Sequence, residues 1–143
     1  RRIYRLVRGL GGIPDFLVAN PGLNSGFMIT QYTAASCVSL NKTLAMPSSV
    51  DSIPSCQDQE DLVSMGANAA LKLQKVILNT ERVLAIELMN AAQALEFRFP
   101  KKSSPMIMKI HEAFRREVPF ISDDVVMYPL IERAIQFMRR YEG

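Results

Sequence analysis

The chain has no tryptophan, one histidine and two cysteines in 143 residues, and each shortage removes a class of protein. His111, Cys37 and Cys56 are too few and too far apart to ligate zinc, and two cysteines make no disulfide framework. Both cysteines read as small buried residues, which fits a reducing cytoplasm. No apolar run approaches the ~20 residues that span a bilayer, so no membrane segment is expected. The opening Arg1-Arg2-Ile3-Tyr4-Arg5 threads charge through apolar residues, unlike a secretory signal, and it does not start with methionine. It reads as the inside of a helix and the chain as a piece of a longer polypeptide. The net charge is only +3, and Arg1, Arg2, Arg5 and Arg8 lack interleaved aromatics, so no nucleic-acid partner is expected. Gly22-Leu23-Asn24-Ser25-Gly26 has the wrong spacing for a serine-hydrolase elbow, and no glycine-rich phosphate loop follows a strand.

What the chain does have is helical periodicity almost throughout, with no alternating strand pattern and no internal repeat. Ile3, Leu6, Val7 and Leu10 make the tail of an amphipathic helix, stopped by Gly9, Gly11, Gly12 and Pro14. A second helix is expected from Ser25 to Ala45, capped by Asn24 or Ser25, with Ser48 and Asp51 forming a short capping box after it. The longest pattern covers 58–97, where Leu62, Ala69, Leu73, Val76, Thr80, Leu84, Leu88, Ala91 and Leu95 hold one stripe. Unbroken, that helix runs ~55–60 Å, longer than the ~37 Å diameter of a compact globule of this size. It therefore either bends near Asn79-Thr80 or packs inside something larger, and the second is the reading preferred. Ser104-Pro105 opens a helix to about Val118, and Pro129 opens the last one. The fold class is all-α, a long-helix bundle treated as a single helical segment over 1–143, with C-terminal helices in 104–143.

The chemistry concentrates between Ser48 and Gly66. A polar loop containing Pro54 runs into Asp58-Gln59-Glu60-Asp61, where the long pattern begins. Acids in a first helical turn face unpaired N–H groups and the positive dipole end. Capping is the better reading for Asp58 and Asp61, and composition alone favours it for Gln59 and Glu60 as well. Elsewhere His111 reads as a packed residue, and Glu87, set in an apolar run, as half of a structural ion pair.

Three ordered segments change the weight given to Glu60. Asn20-Pro21-Gly22-Leu23-Asn24-Ser25-Gly26-Phe27-Met28-Ile29, Ser49-Val50-Asp51-Ser52-Ile53-Pro54 and Gln59-Glu60-Asp61-Leu62-Val63-Ser64-Met65 resemble the C-terminal part of the aromatic amino acid ammonia-lyase family, in particular its histidine-acting members. The similarity covers nearly the whole chain and is strongest over 14–66. It implies the C-terminal part of a mostly helical, homotetrameric, cytoplasmic lyase that eliminates ammonia from L-histidine to give urocanate, with active sites built from several subunits. It also implies a protein-derived electrophile, methylidene-imidazolone, formed from an internal Ala-Ser-Gly. This chain contains no such triplet, so the upstream remainder of the polypeptide is an expected partner and the segment alone is expected to be inactive.

By the same resemblance Glu60 is the catalytic and substrate-binding residue beside the substrate's side chain; Gln59, next to it, is a further substrate-binding candidate that supports it from behind. A carboxylate accepts an imidazole N–H as a charge-assisted hydrogen bond, whereas against a phenyl ring it is desolvated without a partner. Two departures keep other substrates open. Leu62 stands where histidine-acting members carry histidine, and Leu40 replaces the glutamate of a Ser-Glu-Asn-Lys run. Tyrosine or phenylalanine lyase activity, an aminomutase using the same electrophile, and a non-catalytic oligomerisation module are the alternatives.

Overall fold

A computed structural model describes residues 1–142 as five α-helices. They are α1 (Arg2–Val7), α2 (Met28–Leu44), α3 (Gly66–Glu96), α4 (Pro105–Glu117) and α5 (Tyr128–Arg140), with a single 3-10 turn at Asp15–Leu17. No strand forms among the described residues, in agreement with the all-α expectation. No helix among them is long and apolar enough to cross a membrane.

α3 is the spine. It is 31 residues long and unbroken, about 46 Å at ~1.5 Å per residue. α2 lies along its length, while α1, α4 and α5 gather at its C-terminal half. There Leu17, Phe27, Ile86, Met89 and Phe114 are fully enclosed, and Phe114 meets Phe137 edge to face at 5.2 Å. Asn79-Thr80 does not break the helix. Asn79 Nδ2 instead donates to Asn41 Oδ1 of α2 at 2.8 Å, and Thr80 Oγ1 turns back to the Val76 carbonyl.

The helix starts at Gly66 and not at residue 58, because 56–59 is held in a left-handed turn and 61–65 runs on without helical structure. The expected apolar stripe is covered only in part: Leu88 packs against the core and Val76 and Leu95 are half-buried, while Ala69, Leu73, Thr80, Leu84 and Ala91 are exposed. Leu73, Ile77 and Leu84 recur at helical spacing yet are 57%, 52% and 47% exposed, whereas the face turned to the core carries Ala85, Ile86, Met89, Ala92 and Ala94 with Asn90 and Gln93 among them, the last two 0% exposed. Among the described residues nothing buries Leu73, Ile77 and Leu84.

Polar residues sit among the apolar ones at the core face because they tie loops and α2 to the spine. Gln93 Nε2 donates to the Leu17 and Ile121 carbonyls at 3.1 and 2.7 Å, and its Oε1 accepts from the Ile121 amide at 3.2 Å and from the Arg115 guanidinium at 3.3 Å. Thr30 Oγ1 reaches Asn90 Oδ1 at 3.1 Å. α2 is not capped by Asn24 or Ser25 through its own side chain. Asp124, a hundred residues away, accepts from the Ser25 and Gly26 amides at 2.9 and 2.7 Å, and Asn24 Oδ1 accepts the Asp124 amide in return. Gly26 is required there: at φ +52° its added Cβ would lie 2.6 Å from the Phe16 carbonyl oxygen.

The capping expected at Ser104 does occur, with Ile107 N donating to its Oγ at 3.4 Å. Ser48 and Asp51 make no capping box, since no helix directly follows them. Glu87 pairs with Arg2, which joins α1 to α3 and makes it the structural ion pair expected of it. Cys37 is half-buried but Cys56 is exposed, contrary to expectation, because it sits in the turn before α3. His111 is buried, with Nε2 3.1 Å from Glu96 Oε1 and its ring edge-on to Phe99.

Replacing Gln93 with leucine keeps the volume and strands two buried carbonyls and an amide, each costing about 1–3 kcal/mol. A far-UV circular dichroism melt is expected to show a clear fall in Tm, against little change for Gln74→Leu on the exposed side of the same helix.

Candidate active-site loop

Residues 46–65 form the loop that delivers Glu60, and they are fastened at both ends. Lys72 of α3 reaches back to the Met46 carbonyl and to Ser48 Oγ, the latter at 3.2 Å. The two limbs of the loop are then joined by three serines spaced three residues apart. Ser49 Oγ accepts the Met65 amide at 3.0 Å. Ser52 Oγ accepts the Val63 amide at 2.8 Å and donates to the Val63 carbonyl at 3.1 Å. Ser55 and Glu60 pair through both backbones, at 3.0 and 3.3 Å, and Ser55 Oγ donates to Glu60 Oε2 at 3.0 Å.

The tip between Ser55 and Glu60 is strained. Cys56, Gln57 and Asp58 take φ of +53°, +57° and +66° in succession, and Asp51 takes +58° lower on the loop. Side chains with a Cβ rarely adopt this region, and each such residue costs of order 1–3 kcal/mol. Strain of this kind persists only where neighbouring contacts over-determine the conformation, and it concentrates at functional sites. The serine contacts supply that constraint.

This geometry corrects the expected roles of the acidic cluster. Asp58 and Asp61 cap no helix, and no acid lies in the first turn of α3. Gln59 and Glu60 are adjacent on the exposed flank of the turn, so the two residues are brought together. Gln59 makes no side-chain hydrogen bond among the described residues, and its amide donates to the Cys56 carbonyl at 3.3 Å. Neither residue lines the small cleft at this end of the spine, which is walled by Met46, Ser48, Ala69, Lys72 and Leu73. A cleft of about 820 Å³, lined by Glu96, Phe99, Lys102, Met108, His111 and Arg116, sits at the opposite end of the ~45 Å spine. Its polar wall is structural. Arg115 is spread over Glu96, Gln93 and the Val118 and Pro119 carbonyls, and burial pulls its pKa below the ordinary value while Glu96 opposes that shift.

Sequence reasoning misses Ser49, Ser52, Ser55 and Lys72. Serine at every third position from 49 to 55 is the visible signal, but serines in a proline-containing loop look like ordinary turn chemistry.

No group of three metal-ligating side chains occurs among the described residues. The tripeptide nearest to Ala-Ser-Gly, Ala35-Ser36-Cys37, lies inside α2. A regular helix holds its backbone nitrogens and carbonyls in the i to i−4 ladder, out of reach of one another for ring closure. These residues therefore do not fit the family's protein-derived electrophile.

A long spine with a strained, acid-bearing loop at its N-terminal end and an uncovered apolar stripe defines one part of a larger helical-bundle protein. Comparison with known proteins specifies which. The family model described as aromatic amino acid lyase matches residues 1–116, and the chain belongs to that family. It is 54% identical over 143 residues to histidine ammonia-lyase of Symbiobacterium thermophilum and 51% identical over 140 residues to that of Natranaerobius thermophilus. It covers 28% of the length of each of these curated relatives, against 99% and 96% of its own. The crystal structure of histidine ammonia-lyase from Trypanosoma cruzi superposes with a TM-score of 0.91 at 42% identity, covering 97% of this chain and 28% of that one. Tyrosine aminomutase from Streptomyces globisporus superposes at 0.85 with 36% identity over the same shares.

Ser52→Ala removes both contacts to Val63 and should open the loop without touching the spine. Hydrogen exchange at the Val63 amide is expected to speed up markedly while the amides of 80–95 stay protected; unchanged exchange at Val63 would show that Ser52 does not close the loop.

Proposed function

We propose that this chain is the C-terminal part of a histidine ammonia-lyase-like enzyme, which eliminates ammonia from L-histidine to give urocanate, and that Glu60 recognises the substrate imidazole. The observation that carries the reading is the 54% identity to a histidine ammonia-lyase across essentially the whole segment, in a chain that presents Gln59-Glu60 on a strained, serine-fastened turn. Glu60 Oε2 is engaged by Ser55, and Oε1 makes no hydrogen bond among the described residues, which suits it to accept an N–H from an imidazole. Gln59 supports the turn from the adjacent position.

The catalytic base, the carboxylate-binding groups and methylidene-imidazolone belong, on this reading, to the upstream polypeptide and to neighbouring subunits. That electrophile accepts the substrate amine when present, and none of its chemistry falls to residues of this chain. The share of this chain's own residues is recognition: Glu60 orients the imidazole and the loop holds Glu60. The exposed stripe Leu73, Ile77 and Leu84 supports packing of this segment against the remainder of a homotetramer, since so much apolar area on one helix face is otherwise left in water. The free cysteines are compatible with a cytoplasmic setting.

A second reading is favoured by one observation. Leu62, exposed two residues beyond Glu60, replaces the histidine of histidine-acting members, and the likeness to tyrosine aminomutase extends over the same segment. Tyrosine or phenylalanine lyase or aminomutase activity follows if the pocket beside Leu62 takes a phenyl ring.

Glu60→Gln in the full-length protein separates these. Loss of a hydrogen bond to a charged group is worth about 1.5–3 kcal/mol, so kcat/KM for histidine should fall roughly 10- to 150-fold with assembly intact. Unchanged kinetics on histidine would remove Glu60 from the site, and turnover of tyrosine or phenylalanine that survives or improves in the variant would favour the second reading.

A further inference from the structure

The loop chemistry extends to a residue outside the motif that contains Glu60. Ser49, Ser52 and Ser55 project from one limb of the loop at three-residue intervals, and their partners Met65, Val63 and Glu60 follow in reverse order on the other limb. The first two serines hold backbone. The third differs, because its backbone already pairs with that of Glu60 in both directions, so its hydroxyl is free to act on the side chain. It donates to Glu60 Oε2 at 3.0 Å. Ser55 is half-buried while Glu60 is exposed, so the better-packed partner anchors the freer one.

A glutamate on an exposed turn has three side-chain torsions to restrict, and a recognition carboxylate is effective only when held near its productive geometry. We propose that Ser55 is a positioning residue for Glu60. Its hydroxyl takes one carboxylate oxygen and so directs the other, Oε1, toward the substrate. The inference rests on the assignment of Glu60 to imidazole recognition. It adds that specificity for an N–H-bearing ring depends on a hydroxyl at position 55, which touches no substrate itself. The strain at Cys56, Gln57 and Asp58 fits this arrangement, since the tight tip places Glu60 directly across from Ser55.

The test uses the full-length protein with Ser55→Ala, Ser55→Thr, Ser55→Val and Glu60→Gln, with assembly checked by sedimentation. Threonine and valine are near-isosteric and differ in the hydroxyl, so their comparison stands even if alanine loosens the loop. The expected result is a KM for histidine raised roughly tenfold in Ser55→Val and Ser55→Ala, equivalent to about 1.4 kcal/mol. kcat should change little, and Ser55→Thr should restore KM. Binding of phenylalanine, which offers no ring N–H, should be unaffected by either change. Impaired Glu60→Gln with wild-type KM in Ser55→Val overturns the role of Ser55 and leaves Glu60 in place. Equal KM in the threonine and valine variants, both raised, assigns the effect to packing and also overturns it. Wild-type kinetics in Glu60→Gln would instead defeat the assignment of Glu60 on which the inference rests.

Discussion

The buried amide of Gln93 is the contact from which the arrangement of this segment follows. It sits on the spine helix with no exposure to solvent and joins the end of the 3-10 turn, the entry to the last helix and the Arg115 guanidinium. An amide in a core is costly unless both its donor and its acceptor are used, and here both are. Asn79 follows the same logic, donating to Asn41 and accepting from Arg82, whereas Asn90 accepts from Thr30 while its own Nδ2 is buried without a partner. These contacts sit among Ala85, Ile86, Met89 and Ala92 on the inward side of α3. A second apolar patch on the opposite side, Leu73, Ile77 and Leu84, is left facing out, and that is what makes the segment read as part of a larger body.

Rigidity at the spine matters for the loop, because the loop is built on the start of α3. Lys72 fastens its incoming limb to the first turns of the helix, and Met65, its last residue before the helix, is held by Ser49. A tip with three consecutive left-handed residues would relax if either limb were free. Glu60 therefore inherits its position from a series of constraints that begins in the bundle, passes through the serines and ends at a single hydroxyl. The stability of the fold and the placement of the carboxylate are physically linked through that series.

Much of this is legible in the residues themselves. The helical class, the Ser104-Pro105 start, the helices around Ala34 and Ile131 and the pairing of Glu87 all follow from periodicity and local chemistry. Two features mislead for physical reasons. Asp58 to Asp61 have the composition of a helix start, yet the backbone at 56–58 turns left-handed and delays the helix to Gly66. The apolar stripe of α3 has the pattern of a buried surface, but much of it lies off the face this segment covers, which is built from Ala85, Ile86, Met89 and Ala92 with Gln93 and Asn79 tied to partners distant in sequence. Asp124 capping α2 from the far side of the chain is invisible to local patterns on the same grounds.

The central claim is that Glu60, open to solvent in this segment, faces a substrate pocket completed by polypeptide outside it. Carbodiimide labelling of carboxylates, read residue by residue by mass spectrometry, tests this directly. The account predicts that Glu60 is labelled readily in the isolated segment, resists labelling in the assembled full-length protein, and resists it further with histidine bound, while Asp123 on the surface labels alike in all three. Equal labelling of Glu60 in segment and assembly, with no effect of histidine, would contradict it.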